Sequence, residues 1–160
     1  MPAEADAPAF PSCCLRGIRK RDWLYENSSG FYVHQEAFMP GERCSLEENH
    51  SEWLETSVNW EDDDHAVAFT RAQRSEKGQP LNPHGVVRLP LPAIEHCMAN
   101  TPIPKTLARE RRVVTGNRYH GNLLFEPSMP KQMIRQLAGM LALASKLVPE
   151  SGGASEPSTG

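Results

Sequence analysis

An amphipathic segment at residues 129–147, near the C-terminal end of this 160-residue chain, limits the folds that the chain can adopt. Apolar side chains recur there at the helical period, and cationic side chains occupy other positions on the helical wheel. Ser128 is predicted to cap this helix, with Pro130 in its first turn. Such a helix buries its apolar stripe against another layer, so the rest of the chain has to supply that layer.

The preceding sequence contains short apolar segments that are typical of strands, and nine prolines fall between residues 40 and 130. The predicted strands are 15–18, 31–33, 56–60, 85–89, 112–115 and 122–126, and the predicted further helices are 46–55, 64–74 and 93–99. These elements interleave without a regular βαβ rhythm. The sequence therefore predicts an α+β fold, in which the C-terminal amphipathic helix packs on a small mixed or antiparallel sheet.

Both ends of the chain differ in composition from its middle. Residues 1–12 are rich in Ala and Pro, and residues 149–160 consist mostly of Gly, Ser, Pro and Glu. Disordered tails are predicted at both ends, and a single domain over 13–148. The first residues lack the basic and apolar regions of an export signal, and the longest apolar stretch is too short for a bilayer. We expect a cytoplasmic protein with free thiols and no membrane association.

Charge is unevenly distributed along the chain. Lys and Arg total 17 against 20 Asp and Glu, a net charge of −3. Basic clusters occupy residues 16–21 and 105–118, and an acidic block occupies 47–64. Two interpretations are open: the blocks attract each other or form solvated faces, or a basic cluster lines a groove for a phosphate-bearing ligand. The scarcity of aromatic residues near these clusters argues against a stacking platform for single-stranded nucleic acid.

Motifs for metals and cofactors are absent from the sequence. Paired zinc ligands such as C-x-x-C do not occur, and neither do the glycine-rich loops that cradle phosphates. The acidic run at residues 61–64 lacks the alternate-residue spacing of a calcium loop, and it suits the start of a helix better. We therefore predict no metal and no cofactor.

Two histidines occur in similar settings, each in a turn with Asn and Gly that precedes a predicted strand. These are His84 and His120. Across a cleft, two imidazoles act as general acid and base near neutral pH, and Arg16, Arg112 and Arg118 would then clamp a phosphate. The alternative is that both histidines only stabilise their turns through hydrogen bonds to the backbone.

Several short segments, taken in order, carry a resemblance to known proteins. They are LRGI at 15–18, AF at 37–38, SVNW at 57–60, HGVV at 84–87 and NRYHGN at 117–122. This succession resembles a group of short bacterial α+β proteins that have no known activity. The resemblance implies a bacterial or phage origin and a compact α+β domain, and it assigns no catalytic residue.

Two functions are consistent with these patterns. The first is a non-catalytic interaction or accessory protein, in which the charged blocks meet an unknown protein partner. The second is a phosphodiester- or nucleotide-directed enzyme, with His84 and His120 as the acid–base pair and arginine phosphate clamps. A nucleotide or a nucleic acid would then be the partner.

Overall fold

The fold is given by a computed structural model, which describes residues 11–28, 30–41, 54–100, 107–111, 114–126 and 128–149. The strands are β1 (Cys13–Gly17), β2 (Leu24–Asn27), β3 (Gly30–Val33), β4 (Leu54–Trp60), β5 (Val86–Pro90), β6 (Leu107–Arg111), β7 (His120–Phe125) and β8 (Lys146–Leu147). The helices are α1 (Ala66–Ala72), α2 (Leu91–Ala99) and α3 (Lys131–Ala144), with 3₁₀ helices at Arg21–Trp23 and Gln35–Phe38. The predicted α+β class is confirmed.

Six of these strands form one sheet in the order β6-β7-β4-β1-β5-β8, and β2 and β3 form a separate hairpin. Every pair of neighbouring strands is antiparallel. Strand β1 pairs with β5 along its whole length, but it pairs with β4 only at Cys14–Trp60 and Leu15–Asn59. The two central strands therefore part beyond Leu15.

The sheet is covered on both faces. Since side chains alternate along a strand, Cys14 belongs to the larger apolar cluster and Leu15 to the smaller one. The larger cluster includes buried side chains of α2 and α3, and the smaller cluster includes Ala66 of α1. Burying a Leu or Ile side chain contributes about 1.5–3 kcal/mol, and α3 buries Ile134, Leu137 and Leu141. The predicted packing of the C-terminal helix on the sheet is confirmed.

Most predicted elements occur within a few residues of their expected bounds, and three expectations are corrected. Val114 forms only an isolated bridge, so the strand predicted at 112–115 is wrong where residues are described. Of the helix predicted at 46–55, residues 54 and 55 belong to β4 and the others lie outside the described residues. Ser128 does not cap α3, because its N–H and hydroxyl both donate to Glu126 Oε1 at 2.6 Å.

Little of the predicted tails is described. Residues 1–10 and 150–160 lie outside the described residues. The carbonyl of Ser12 accepts the N–H of Leu91 at 2.8 Å, and the carbonyl of Pro149 accepts Arg71 Nη2 at 2.6 Å. The folded domain therefore holds its chain at least from residue 12 to residue 149. Among the described helices, none combines the length and the apolar character that crossing a bilayer requires.

Candidate functional site

The acidic run at residues 61–63 is paired with arginines from three other parts of the fold. The pairs are Glu61 with Arg88 on β5 (2.8 and 2.7 Å), Asp62 with Arg111 on β6 (2.6 Å) and Asp63 with Arg118 before β7 (2.6 Å). Arg111 and Arg118 belong to the basic cluster at residues 105–118, so attraction between charged blocks accounts for two of these three pairs. These carboxylates and arginines are already partnered.

Arg118, one of the predicted phosphate clamps, lies in this paired cluster. Its Nη2 donates to Asp63 and to the Tyr119 hydroxyl at 2.8 Å, and its guanidinium lies 4.5 Å from the centre of the Tyr119 ring. The hydroxyl in turn donates to Asp63 Oδ1 at 2.9 Å. The backbone N–H of His65, with Tyr119 and Arg118, lowers the pKa of Asp63. Arg118 therefore has a structural partner in the described structure.

Arg16, another predicted clamp, lies where β1 and β4 part. Its Nη1 donates to the carbonyl of Ser57 at 2.9 Å, and its Nε donates to the carbonyl of Ala37 at 2.7 Å. The guanidinium also lies 5.1 Å from the centre of the Trp23 ring. The side chain bridges the gap between the strands, and the residue is only 8% exposed.

The charge of Arg16 has no carboxylate partner among the described residues. Burial, together with the nearby charge of Arg19, lowers the pKa of Arg16 to about 9. A guanidinium has five N–H groups, and only two of them are hydrogen-bonded within the described structure. Nη2 of Arg16 has no hydrogen-bond partner in the described structure but is not fully buried, so it is open to a ligand in the cavities that Arg16 lines. A largely buried cation of this kind is costly unless water or an anion solvates it.

The 3₁₀ helix at Gln35–Phe38 positions one of the carbonyls that hold Arg16. The ring Nδ1 of His34 accepts the N–H of Glu36 at 3.0 Å and so caps this helix. The hydroxyl of Thr56 donates to the carbonyl of Phe38 at 2.9 Å, which fastens the helix to β4. The carbonyl of Ala37, which accepts Arg16 Nε, therefore lies in a helix that is held at both of its ends.

Two cavities meet at Arg16. The larger one, about 810 Å³, is called here the basic groove, and the smaller one, about 150 Å³, is called the amide cavity. Both are lined by Arg16, Arg19 and Ser57. The charged residues that line the basic groove are five cations and two carboxylates: Arg16, Arg19, Lys20, Lys131, Arg135, Glu36 and Glu55. The groove is therefore positively charged, although the whole chain is acidic.

The walls of the amide cavity are held by side-chain hydrogen bonds. Asn59 Nδ2 donates to Thr70 Oγ1 at 2.8 Å and to Gln73 Oε1 at 3.1 Å, while its Oδ1 accepts Asn117 Nδ2 at 2.9 Å. Asn82 Nδ2 donates to the carbonyl of Thr70 at 2.8 Å. These bonds connect the sheet, α1 and two loops, so the cavity has a fixed outline in the described structure.

Gly17 is required by this packing. A Cβ atom at this position would lie 2.0 Å from Cγ of Asn82, well inside van der Waals contact. Any side chain at residue 17 would therefore displace Asn82 from the cavity wall.

The structure brings together only two of the predicted site residues. Arg16 and His120 both line the amide cavity. His84 is exposed, lines neither cavity, and donates its backbone N–H to the carbonyl of Ile18 at 3.1 Å. Because β4 and β1 lie between β7 and β5, strand spacing alone separates the two histidine-bearing segments by about 14 Å. Arg118 lines neither cavity, and Arg112 lies outside the described residues.

Sequence reasoning missed the contribution of α3 to the groove. Lys131 and Arg135 are spaced four residues apart, so they lie on one face of the helix. That spacing was visible in the sequence, but the direction of this face depends on how the apolar side of α3 packs. Arg19, which lines both cavities, belongs to the basic cluster at residues 16–21.

Metal and thiol chemistry find little support in the described part of the chain. No group of three or more His, Cys, Asp or Glu side chains is placed there to hold a metal ion. Cys13, Cys14 and Cys97 are free, and burial raises the pKa of the Cys14 and Cys97 thiols, which makes them unreactive.

Comparison of the chain with protein-family models, with curated proteins and with solved structures gives no match. The resemblance to short bacterial proteins therefore stays a prediction, and function has to be argued from the site itself.

Proposed function

We propose that this protein is a non-catalytic binding protein whose basic groove takes a phosphate-bearing ligand. The observation that carries this proposal is Arg16, a buried guanidinium held by two carbonyls, with three N–H groups unused in the described structure. A phosphate oxygen accepts such groups in strong, charge-assisted hydrogen bonds. A bound phosphate would also compensate the buried charge.

The rim of the basic groove supports the same ligand. Arg19, Lys20, Lys131 and Arg135 are exposed, so they can turn toward an anion at little structural cost. The carboxylates of residues 61–63 are held by other arginines and do not line the groove. A concave surface with an excess of cations, here five against two carboxylates, attracts an anionic ligand even when the net charge of the protein is negative.

A non-catalytic role is proposed because the predicted acid–base pair, His84 and His120, does not meet in either cavity. His120 is the one imidazole among the described residues that line the two cavities. A general acid and a general base both have to reach the reacting group, directly or through one water. His84 is outside that reach in the described structure.

Calorimetric titration with inorganic triphosphate at low ionic strength tests the proposal. We expect binding that weakens as salt is added, because exposed charges are screened. The double variant Lys131→Ala/Arg135→Ala should lower the affinity by about tenfold or more. A matched control is Arg21→Ala with Lys77→Ala, which removes two exposed cations that line neither cavity. Equal losses in the two double variants, or no binding to the wild type, would overturn the proposal.

The enzyme alternative has a separate test. The protein is incubated with a panel of nucleotides and cyclic nucleotides, and products are separated by chromatography. We expect no turnover. Turnover that disappears in His120→Ala, with the fold intact by circular dichroism, would refute the non-catalytic assignment and make His120 a catalytic residue.

A further inference from the structure

We infer that the amide cavity seats the terminal phosphate of the ligand, so that the ligand is a compact polyphosphate ending in a phosphomonoester, such as a nucleoside diphosphate. This inference rests on the proposed function and makes it more specific. It assigns the two cavities different roles. The amide cavity takes the end of the ligand, and the basic groove takes the remaining phosphates.

The size of the amide cavity sets the first limit. At about 150 Å³, the amide cavity has less than a fifth of the volume of the basic groove, which is about 810 Å³. Of the two cavities, it is therefore the one that suits a single phosphate group, and the basic groove has the room for the rest of the ligand. An internal phosphodiester also continues on both sides, whereas a terminal phosphate can enter from the groove alone.

The chemistry of the amide cavity favours an anion. Arg16, Arg19 and His120 line it, together with neutral amide and hydroxyl side chains, and no carboxylate is among its described lining residues. A terminal phosphate carries up to two negative charges, with a second pKa near 6. The lining contains two guanidinium groups, which also line the basic groove, and one imidazole. This set of groups suits the two negative charges of a terminal phosphate better than the single charge of a phosphodiester.

The groove offers little that would recognise a base. Trp23 is the only Trp, Tyr or Phe among the described residues that line either cavity, and it already lies against Arg16. Proteins that bind single-stranded nucleic acid usually stack bases on exposed aromatic side chains. The ligand should therefore be recognised by its phosphates, and inorganic triphosphate should bind about as well as a nucleoside triphosphate.

The test compares two ligands that share a pyrophosphate. ADP has a terminal phosphate, whereas P1,P2-diadenosine diphosphate has the same bridge with both ends blocked. We expect ADP to bind at least about tenfold more tightly, because the blocked dinucleotide loses one hydrogen bond to a charged group. Similar affinities for both ligands, each lost in Lys131→Ala/Arg135→Ala, would overturn this inference and leave the proposed function standing. Failure of both ligands and of inorganic triphosphate to bind would overturn both.

A variant of the amide cavity gives an independent readout. His120→Gln keeps a polar side chain of similar size and removes the imidazole. The preference for ADP over the blocked dinucleotide should fall by about tenfold, while the affinity for the blocked dinucleotide stays the same. If His120→Gln does not fold, as judged by circular dichroism, His120→Asn replaces it. An unchanged preference in the folded variant would contradict the placement of the terminal phosphate.

Discussion

Replacing Arg16 with Met separates the role of its guanidinium in ligand binding from its role in the stability of the fold. Met keeps much of the apolar stem that fills the gap between β1 and β4, and it removes the guanidinium. Two hydrogen bonds to carbonyls are lost, at about 1.5–3 kcal/mol each for a charged donor, together with the contact to Trp23.

A gain of similar size offsets these losses. Burying a guanidinium without a counter-ion costs several kcal/mol, and the lowering of the Arg16 pKa to about 9 by burial reflects that cost. The two contributions have opposite signs, so the free energy of unfolding should change by less than about 2 kcal/mol. By contrast, Leu15→Ala should lower the free energy of unfolding by about 2–5 kcal/mol, because the neighbouring residue Leu15 is fully buried.

Urea unfolding followed by circular dichroism measures both variants, and calorimetry with inorganic triphosphate measures binding. We expect Arg16→Met to unfold near the wild-type midpoint and to bind the triphosphate at least about a hundredfold more weakly. If Arg16→Met instead unfolds as easily as Leu15→Ala and its folded fraction binds normally, Arg16 is a structural bridge and the reasoning above is wrong.

Three further predictions concern the elements that hold the site. Gly17→Ala should lower the free energy of unfolding by about 1–3 kcal/mol in urea titrations, since its Cβ would overlap Asn82; wild-type stability would contradict the proposed close packing. His34→Ala should lower the free energy of unfolding by about 1 kcal/mol, because it removes the cap of the 3₁₀ helix, and His34→Asn should lower it by less. Equal losses in the two variants would argue against capping. Asp63→Asn should be less stable than the wild type above pH 4. The difference in the free energy of unfolding should vanish as the pH falls through the lowered pKa of Asp63, because this carboxylate binds fewer protons in the folded state than in the unfolded state. A difference that persists under more acidic conditions would exclude its charge as the cause.

The elements that could be predicted from the sequence are those whose signal is local. The apolar stripe of α3 and the apolar segments of β4 and β7 are each visible within a short window. Strand β6 was missed because three of its five residues, LARER, are charged, and it lies at the edge of the sheet, where charged side chains are tolerated. A strand was predicted instead at residues 112–115, which include Val113 and Val114, because β-branched residues favour strands.

The site was only partly predictable for a different reason. Arg16 belongs to a visible basic cluster, but its burial depends on how far β1 pairs with β4, which is a long-range property of the sheet. The pairing of His84 with His120 assumed that similar turns lie close together. The strand order places two strands between β5 and β7, and nothing within either turn encodes that order.

The parting of β1 and β4 explains why one residue serves both the fold and the proposed ligand. Strand β1 stays paired with β5 through Gly17, where Asn82 packs against it, and this leaves the carbonyl of Ser57 turned toward an open gap. Arg16 satisfies that carbonyl but brings an uncompensated charge into the interior. A bound anion compensates the charge of Arg16 only in the folded state, so binding of the ligand raises the free energy of unfolding. A phosphate ligand at a hundred times its dissociation constant should stabilise the wild type by about 2.7 kcal/mol, and Arg16→Met should show almost none of that gain.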